Sequence, residues 1–367
     1  MIEWKNGVLK DLAVFQRGHD LPKSEIKNGI IPVAGSNGVI GYHNTATTKG
    51  PGITIGRSGN IGTPHLYKND FWAHNTVLYV NNFMGNDELY VFYFLRNIDF
   101  TGFNAGSAVP TLNRNHIHEI PINIPPLAEQ RAIATVLSSL DDKIDLLYRQ
   151  NKTLETIAET LFTQWFINGT DKGWEAGKLN DLVEIQSGFA FKSVTFTEIG
   201  PYRLVTIKAV QDGYLDLNNA DGIAIVPSKM PIYCHLNEKD ILLSLTGNVG
   251  RCCIVDKPNL LLNQRVAKIH PIFEKDRAFS YFYFRLSNTR RQLEEIAKGS
   301  AQAKRSPIET GNLPIMKPTR LILDRFSHIA TPLFDKLFQN KNMISALESL
   351  RDTLLPKLMS GEVRVEV

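Results

Sequence analysis

Cysteine is scarce in this chain: Cys234, Cys252 and Cys253 are the only three in 367 residues, and no Cys-x-x-Cys pair occurs. That excludes a disulfide framework or a structural zinc site as the organising principle, and a reducing compartment is the expectation. No apolar run approaches the length of a membrane span, and the N-terminus carries no apolar signal core, so a soluble, cytoplasmic protein is expected. Charge of one sign is not abundant either. Lys and Arg number 41 against 37 Asp and Glu, a net +4 that suits a polyanionic partner without demanding one. The phosphate-binding pattern Gly-x4-Gly-Lys-Ser/Thr is missing, which argues against ATP use. An Asn/Asp-Pro-Pro-aromatic loop, which transfer of a methyl group to a base would need, is missing too. The glycines of Gly50 to Gly56 run into a hairpin pattern rather than a helix, so they do not make a dinucleotide turn. His116 and His118 have no second ligand pair at metal spacing and read as surface or loop residues. Asp141 and Asp142 lie in a helical pattern and read as solvated charge.

What the chain does have is a repeat. Trp4, Gly7, Leu9, Asp11, Leu12, Gln16 and Gly18 return as Trp174, Gly177, Leu179, Asp181, Leu182, Gln186 and Gly188, at a constant spacing of 170. Gly59-Asn60-Ile61-Gly62 returns as Gly247-Asn248-Val249-Gly250 at a spacing of 188, so the second copy holds about 18 extra residues, expected in loops. Gly106-Ser107-Ala108 returns as Gly299-Ser300-Ala301, and Glu119 to Pro126 as Asn312 to Thr319, both at 193. This period is too long for a solenoid and marks a duplicated domain. Within each copy, alternating apolar and polar residues around the Gly-Asn pair predict a hairpin, and Asn75 to Val80 and Arg265 to Ile272 read as strands. Glu88 to Ile98 and Ser280 to Asn288 read as short buried helices whose aromatics pack rather than stack on bases.

A long helical segment follows each copy. Pro125 and Pro126 open the first, and Asn168-Gly169 closes it. Ile133, Leu137, Leu140, Ile144, Leu147, Asn151, Leu154, Ala158, Leu161 and Trp165 form a heptad seam along it. The second seam runs through Phe326, Ala330, Leu333, Leu337, Asn340, Ile344, Leu347, Arg351, Leu354 and Leu358. Pro332 is expected to kink that helix or mark its start, and Pro356 to disturb its end, leaving Leu333 to Leu355 regular. Leu350 is expected to pack in place of Arg351. Laid antiparallel, the seams bring Asn151 opposite Asn340, a buried pair that sets register. The fold class read from the chain is therefore α+β: two duplicated mixed α/β domains joined by two long helices that form an antiparallel coiled coil. The boundaries are 1–124 and 169–318 for the domains, 125–168 and 319–367 for the helices. At ~1.5 Å per residue the helices span roughly 35–50 Å, about one turn of B-DNA or slightly more.

The phrase PPLAEQRAIATVLSSLDDKIDLL with the later QNKTLETIAETLFTQWF closely resembles the central spacer of type I restriction–modification specificity subunits, and ESLRDTLLPKLMSGEV resembles their second spacer. The Gly-Ser-Ala before each helical segment fits as well, and the resemblance covers essentially the whole chain. It implies two target-recognition domains, each reading one half of a bipartite sequence in double-stranded DNA, with the helices docking DNA methyltransferase (modification) subunits and restriction subunits joining that complex. It implies a non-catalytic chain without cofactors, with S-adenosylmethionine, ATP and Mg used by the partners.

Given that resemblance, DNA contacts are sought among Arg, Lys, Asn, Gln and hydroxyl side chains. The hairpin tips come first: Arg57, Ser58 and Asn60 in one copy, Thr246, Asn248 and Arg251 in the other. The stretch beside each Gly-Ser-Ala comes second: Asn113 and Arg114, then Lys298, Gln302, Lys304 and Arg305. Gln264 and Arg265 are weaker candidates. Two rival readings remain open: a nuclease or methyltransferase fused to recognition domains, and a structural dimeriser whose repeated domains bind protein.

Overall fold

The computed structural model describes residues 3–103, 111–169, 173–298 and 307–366, with only the backbone of 296–298. The chain divides into two compact units, residues 1–145 with 346–367 and residues 146–345. Each is a mixed α/β body with its own core.

The recurring opening has a physical cause in both units. Asp11 Oδ2 accepts from the Val8 N–H at 3.0 Å, and Asp181 Oδ2 from the Lys178 N–H at 3.1 Å, capping a single helical turn in each case. A Cβ on Gly7 or Gly177 would stand 2.8 or 2.5 Å from that same carboxylate oxygen. Leu9 and Leu179 begin the turn and are buried. The preceding strand then pairs with the strand that leads into the long helix: Lys5–Val8 against Pro121–Ile124, and Glu175–Lys178 against Pro314–Lys317. Gly18 and Gly188 are required because another backbone crosses them. Their Cβ atoms would lie 2.1 Å from the carbonyl oxygens of His74 and Asn263.

Each unit has a four-stranded antiparallel sheet with the same order. In the first the neighbours are Val14–Arg17, Val77–Asn82, Gly52–Gly56 and Pro64–Tyr67. In the second they are Val183–Ser187, Val266–Pro271, Ile241–Ser244 and Cys252–Ile254. The hairpins expected from the repeat are present. Their turns are loops of residues 57–63 and 245–251, wider than a two-residue Gly-Asn turn. The extra residues of the second copy fall at 206–240, where they contribute short strands to a five-stranded sheet; the first unit has a three-stranded sheet there. The helices Glu88–Arg96 and Arg277–Arg285 bury their aromatics against these sheets, as expected of packing residues. All three cysteines are free and buried, and burial pushes the Cys252 thiol up to about 12.

The two long helices are Leu127–Phe162, continued by a π-type stretch Thr163–Asn168, and Arg320–Ser360. Each contributes to both cores. Ile133 and Leu137 pack with Leu355 and Leu358 in the first unit, while Ala158 and Phe162 pack with Phe326, Ala330 and Phe334 in the second. Within each unit the two segments run antiparallel. Asn340 is 1% exposed, and its amide donates to Asn151 Oδ1 at 2.9 Å.

Four expectations need correcting. The second long helix runs unbroken through Pro332 and Pro356, both exposed. Each proline costs about 3 kcal/mol of local helix stability, yet the apolar stripe buried on either side outweighs that cost. Leu350 is 46% exposed, whereas the Arg351 side chain is 15% exposed and donates to Asp141 at 2.8 Å. Asp141 is therefore not solvated charge. It also accepts from the Tyr93 hydroxyl at 2.8 Å and from Arg96 at 3.0 Å. His118 is buried, and its Nε2 accepts from the Phe15 N–H at 2.9 Å, a structural bond rather than a surface role.

Candidate nucleic-acid interface

In the first unit the sheet brings two separated stretches together. The hairpin loop begins at Arg57, whose N–H donates to the Thr76 carbonyl at 2.8 Å. Its own carbonyl accepts from the Leu112 N–H at 2.8 Å, and Ser58 forms an isolated antiparallel bridge with Thr111. The hairpin tip and the segment following residues 104–110 are thus one surface. Ser58 and Arg57 are half-buried and Asn60 is exposed. Gly59 and Gly62 adopt φ of 84° and 80°, and the Gly62 N–H closes the loop onto the Gly56 carbonyl at 2.9 Å.

Arg57 has no carboxylate partner among the described residues; its Nη1 reaches only the Asn75 carbonyl, at 3.4 Å. Burial and the nearby Arg17 guanidinium both push its pKa down, because each opposes the cation. A concentrated positive charge of this kind is relieved by an anion. Asn113 caps the short helix Arg114–His118 by accepting from the Asn115 N–H at 3.0 Å, so its carbonyl oxygen has a structural task. Arg114 is exposed at that helix's first position.

Residues remote in sequence line the same edge. The Asn75 amide is held by Asp20, His74 and Thr76 share a hydrogen bond at 3.0 Å, and His19 forms a parallel bridge with His74. Burial pushes the His74 pKa down, opposed by the Asp20 carboxylate. Sequence reading passed over His19, Asp20, His74, Asn75 and Thr76. The signal was present, since 74–76 lie at the start of the strand predicted over Asn75 to Val80, but only strand pairing shows which loop they face.

The second unit repeats the frame. Leu245 N–H donates to the Arg265 carbonyl at 3.0 Å, Gly250 N–H to Ser244 at 2.9 Å, and Phe189 bridges Asn263 in parallel. The side chains differ. Ser244 donates its hydroxyl to the Asn248 carbonyl. In the first unit a Cβ on Gly56 would lie 1.7 Å from the Asn60 oxygen. Asn248 is exposed at the tip, while the buried Thr246 hydroxyl makes no hydrogen bond among the described residues. Arg251 donates to Gln211 and so holds the inserted loop, which occupies part of its bonding capacity. Lys298 ends the helix Ser287–Lys298 with its side chain outside the description, and Gln302, Lys304 and Arg305 lie outside the described residues. Among the described residues no group of three or more His, Cys, Asp or Glu side chains could hold a metal ion, and no helix is long and apolar enough to cross a membrane.

Comparison with known proteins adds four findings. A family model described as the type I restriction modification DNA specificity domain matches residues 1–156 and again 171–319. The chain is 31% identical over 290 residues to the type I restriction enzyme MjaIX specificity subunit of Methanocaldococcus jannaschii, covering 72% of this chain and 65% of that one. It is 21% identical over 328 residues to the HindI specificity subunit of Haemophilus influenzae, covering 69% and 71%. In fold it is similar to the crystal structure of a type I restriction–modification S subunit from M. genitalium, with a TM-score of 0.69 at 18% identity over 98% and 96% of the two chains.

Proposed function

The chain belongs to the type I restriction–modification DNA specificity family, and on that premise we propose that it is the sequence-reading subunit of such an enzyme, with each unit reading one half of an asymmetric, bipartite duplex target. The observation that carries this reading is the pair of hairpin edges, one backbone frame bearing two different sets of side chains. A shared frame suits a shared ligand, and unequal side chains suit unequal half-sites. Arg57, Ser58, Asn60 and Arg114 present donors at one edge, and Thr246, Asn248 and Arg251 line the other. Asn113 contributes through its free amide group. Lys298, Gln302, Lys304 and Arg305 are further DNA-contact candidates in this reading, on the strength of their residue types alone.

In this reading the chain transfers no methyl group and cuts no DNA. It docks methyltransferase subunits, which use S-adenosylmethionine, and restriction subunits, which use ATP and Mg. The compartment is the cytoplasm, where the DNA is. Genome-wide mapping of methylated bases in cells with and without the chain tests the proposal. A two-part motif that vanishes with the chain, together with copurification of a methyltransferase, is the expected result. An unchanged methylation pattern would overturn it and favour the protein-binding dimeriser.

A further inference from the structure

We infer that Arg265 is a DNA-contacting arginine of the second unit, doing there what Arg57 does in the first from the opposite side of one hydrogen-bonded residue pair. This rests on the DNA-reading function proposed above and deepens it. The equivalence is geometric. Arg57 faces Thr76 through an N–H to carbonyl bond of 2.8 Å, and Leu245 faces Arg265 through the same bond at 3.0 Å. The bonds around it agree as well. Gly18 donates to Val77 and Gly188 to Val266, both at 3.1 Å, while His19 donates to Ala73 at 2.7 Å and Phe189 to Leu262 at 3.0 Å. Thr76 and Arg265 are therefore one position, and Arg57 and Leu245 another.

The guanidinium has changed sides. Leu245 is 3% exposed and belongs to the core of its unit, so the loop side of the pair offers no cation there. Arg265 is exposed, and its side chain makes no hydrogen bond or ion pair among the described residues. Its backbone is held at φ 71°, a conformation that disfavours any residue with a Cβ. A glycine would sit there more easily. Strain of this kind, with no structural bond made by the side chain, fits a residue kept for what its side chain reaches. An arginine offers a planar fork of donors that matches a guanine edge or a phosphate. Because the two arginines project from opposite members of the pair, the two edges would present their cation to different places along a bound duplex.

The test uses the full-length chain with its methyltransferase subunits and a random-sequence duplex pool, from which bound sequences are selected and read. Arg265→Gly removes the guanidinium and relieves the backbone, so the variant should melt at a higher temperature than the parent. Its affinity for the selected target should fall about tenfold, with relaxed selection in one half of the motif. Arg57→Ala should relax the other half. Unchanged affinity and selection by Arg265→Gly would overturn the assignment, as would relaxation of the same half by both variants. A parent complex that enriches no sequence at all would break the DNA-reading function itself, a separate failure.

Discussion

The two units solve the same packing problem with different residues. Each ends its short aromatic helix in an arginine that reaches a carboxylate on the first long helix. In the first unit Arg96 and the Tyr93 hydroxyl meet Asp141, which also takes Arg351 from the second long helix. In the second, Arg285 donates to Glu155 at 3.2 Å, the Tyr281 hydroxyl reaches the same carboxylate at 3.3 Å, and Asp212 of the inserted loop gives Arg285 a second acceptor. One carboxylate serves three donors in the first case; one guanidinium serves two carboxylates in the second. Duplication thus preserved the frame and the kind of bond while the individual partners drifted.

The comparison breaks most visibly at the crossed glycines. Gly18→Ala and Gly188→Ala should each cost roughly 3 kcal/mol, since a methyl group would strike backbone rather than a movable side chain. Thermal or denaturant unfolding checks this. Unequal losses would mean that the two crossings are less alike than their 2.1 Å approaches indicate. The carboxylates come next. Asp141→Ala strands the Tyr93 hydroxyl and Arg96, while Arg351 keeps Asp352, and should cost about 2–3 kcal/mol. Glu155→Ala strands the Tyr281 hydroxyl but leaves Arg285 its second acceptor, and should cost about 1–2 kcal/mol. If chemical denaturation gave the reverse order, the account of who depends on whom would be wrong.

A gain is expected from the seam. Replacing Asn151 and Asn340 together by leucine should raise stability by about 1–2 kcal/mol, because a hydrogen-bonded amide pair fixes register at a cost in burial. A lower melting temperature for the double variant would show the pair to be a net stabiliser.

The smallest effect concerns acid. His118 accepts a backbone N–H on Nε2, so it must be neutral, and burial together with Lys10 and Arg114 holds its pKa below the ordinary value while Glu119 opposes them. With the folded pKa depressed, the full stabilisation is present above the unfolded value of about 6.5 and is lost as pH falls through the folded one. The second unit carries Gly311 at the corresponding place, 193 residues on. Hydrogen exchange should therefore show the first unit loosening before the second as pH drops below neutrality, and simultaneous loosening would refute that origin.

Much of the architecture was legible in the sequence because it rests on periodicity and on residues that recur. The heptad seams and the Gly-Asn hairpins belong to that class. What was misread depends on partners distant along the chain. Asp141 looks like any solvated helix carboxylate until Tyr93 and Arg351 are seen beside it. Arg351 looks out of place in an apolar seam until Asp141 neutralises it. His118 is one of two nearby histidines until the sheet brings the Phe15 amide to it. The candidate interface followed the same rule. The tip residues could be named from the hairpin pattern, but the structural duties of Asn113 and Arg251, and the company of Asp20, Asn75 and Thr76, arise only from pairing.

The two prolines of the second long helix have one more effect. Pro332 and Pro356 withhold the N–H groups that the carbonyls of His328 and Asp352 would otherwise receive, and all four residues are exposed, so water can take the missing place. Each proline therefore leaves one turn of the helix a hydrogen bond short, and those turns are where it would open first, before the turn that holds the buried Asn340.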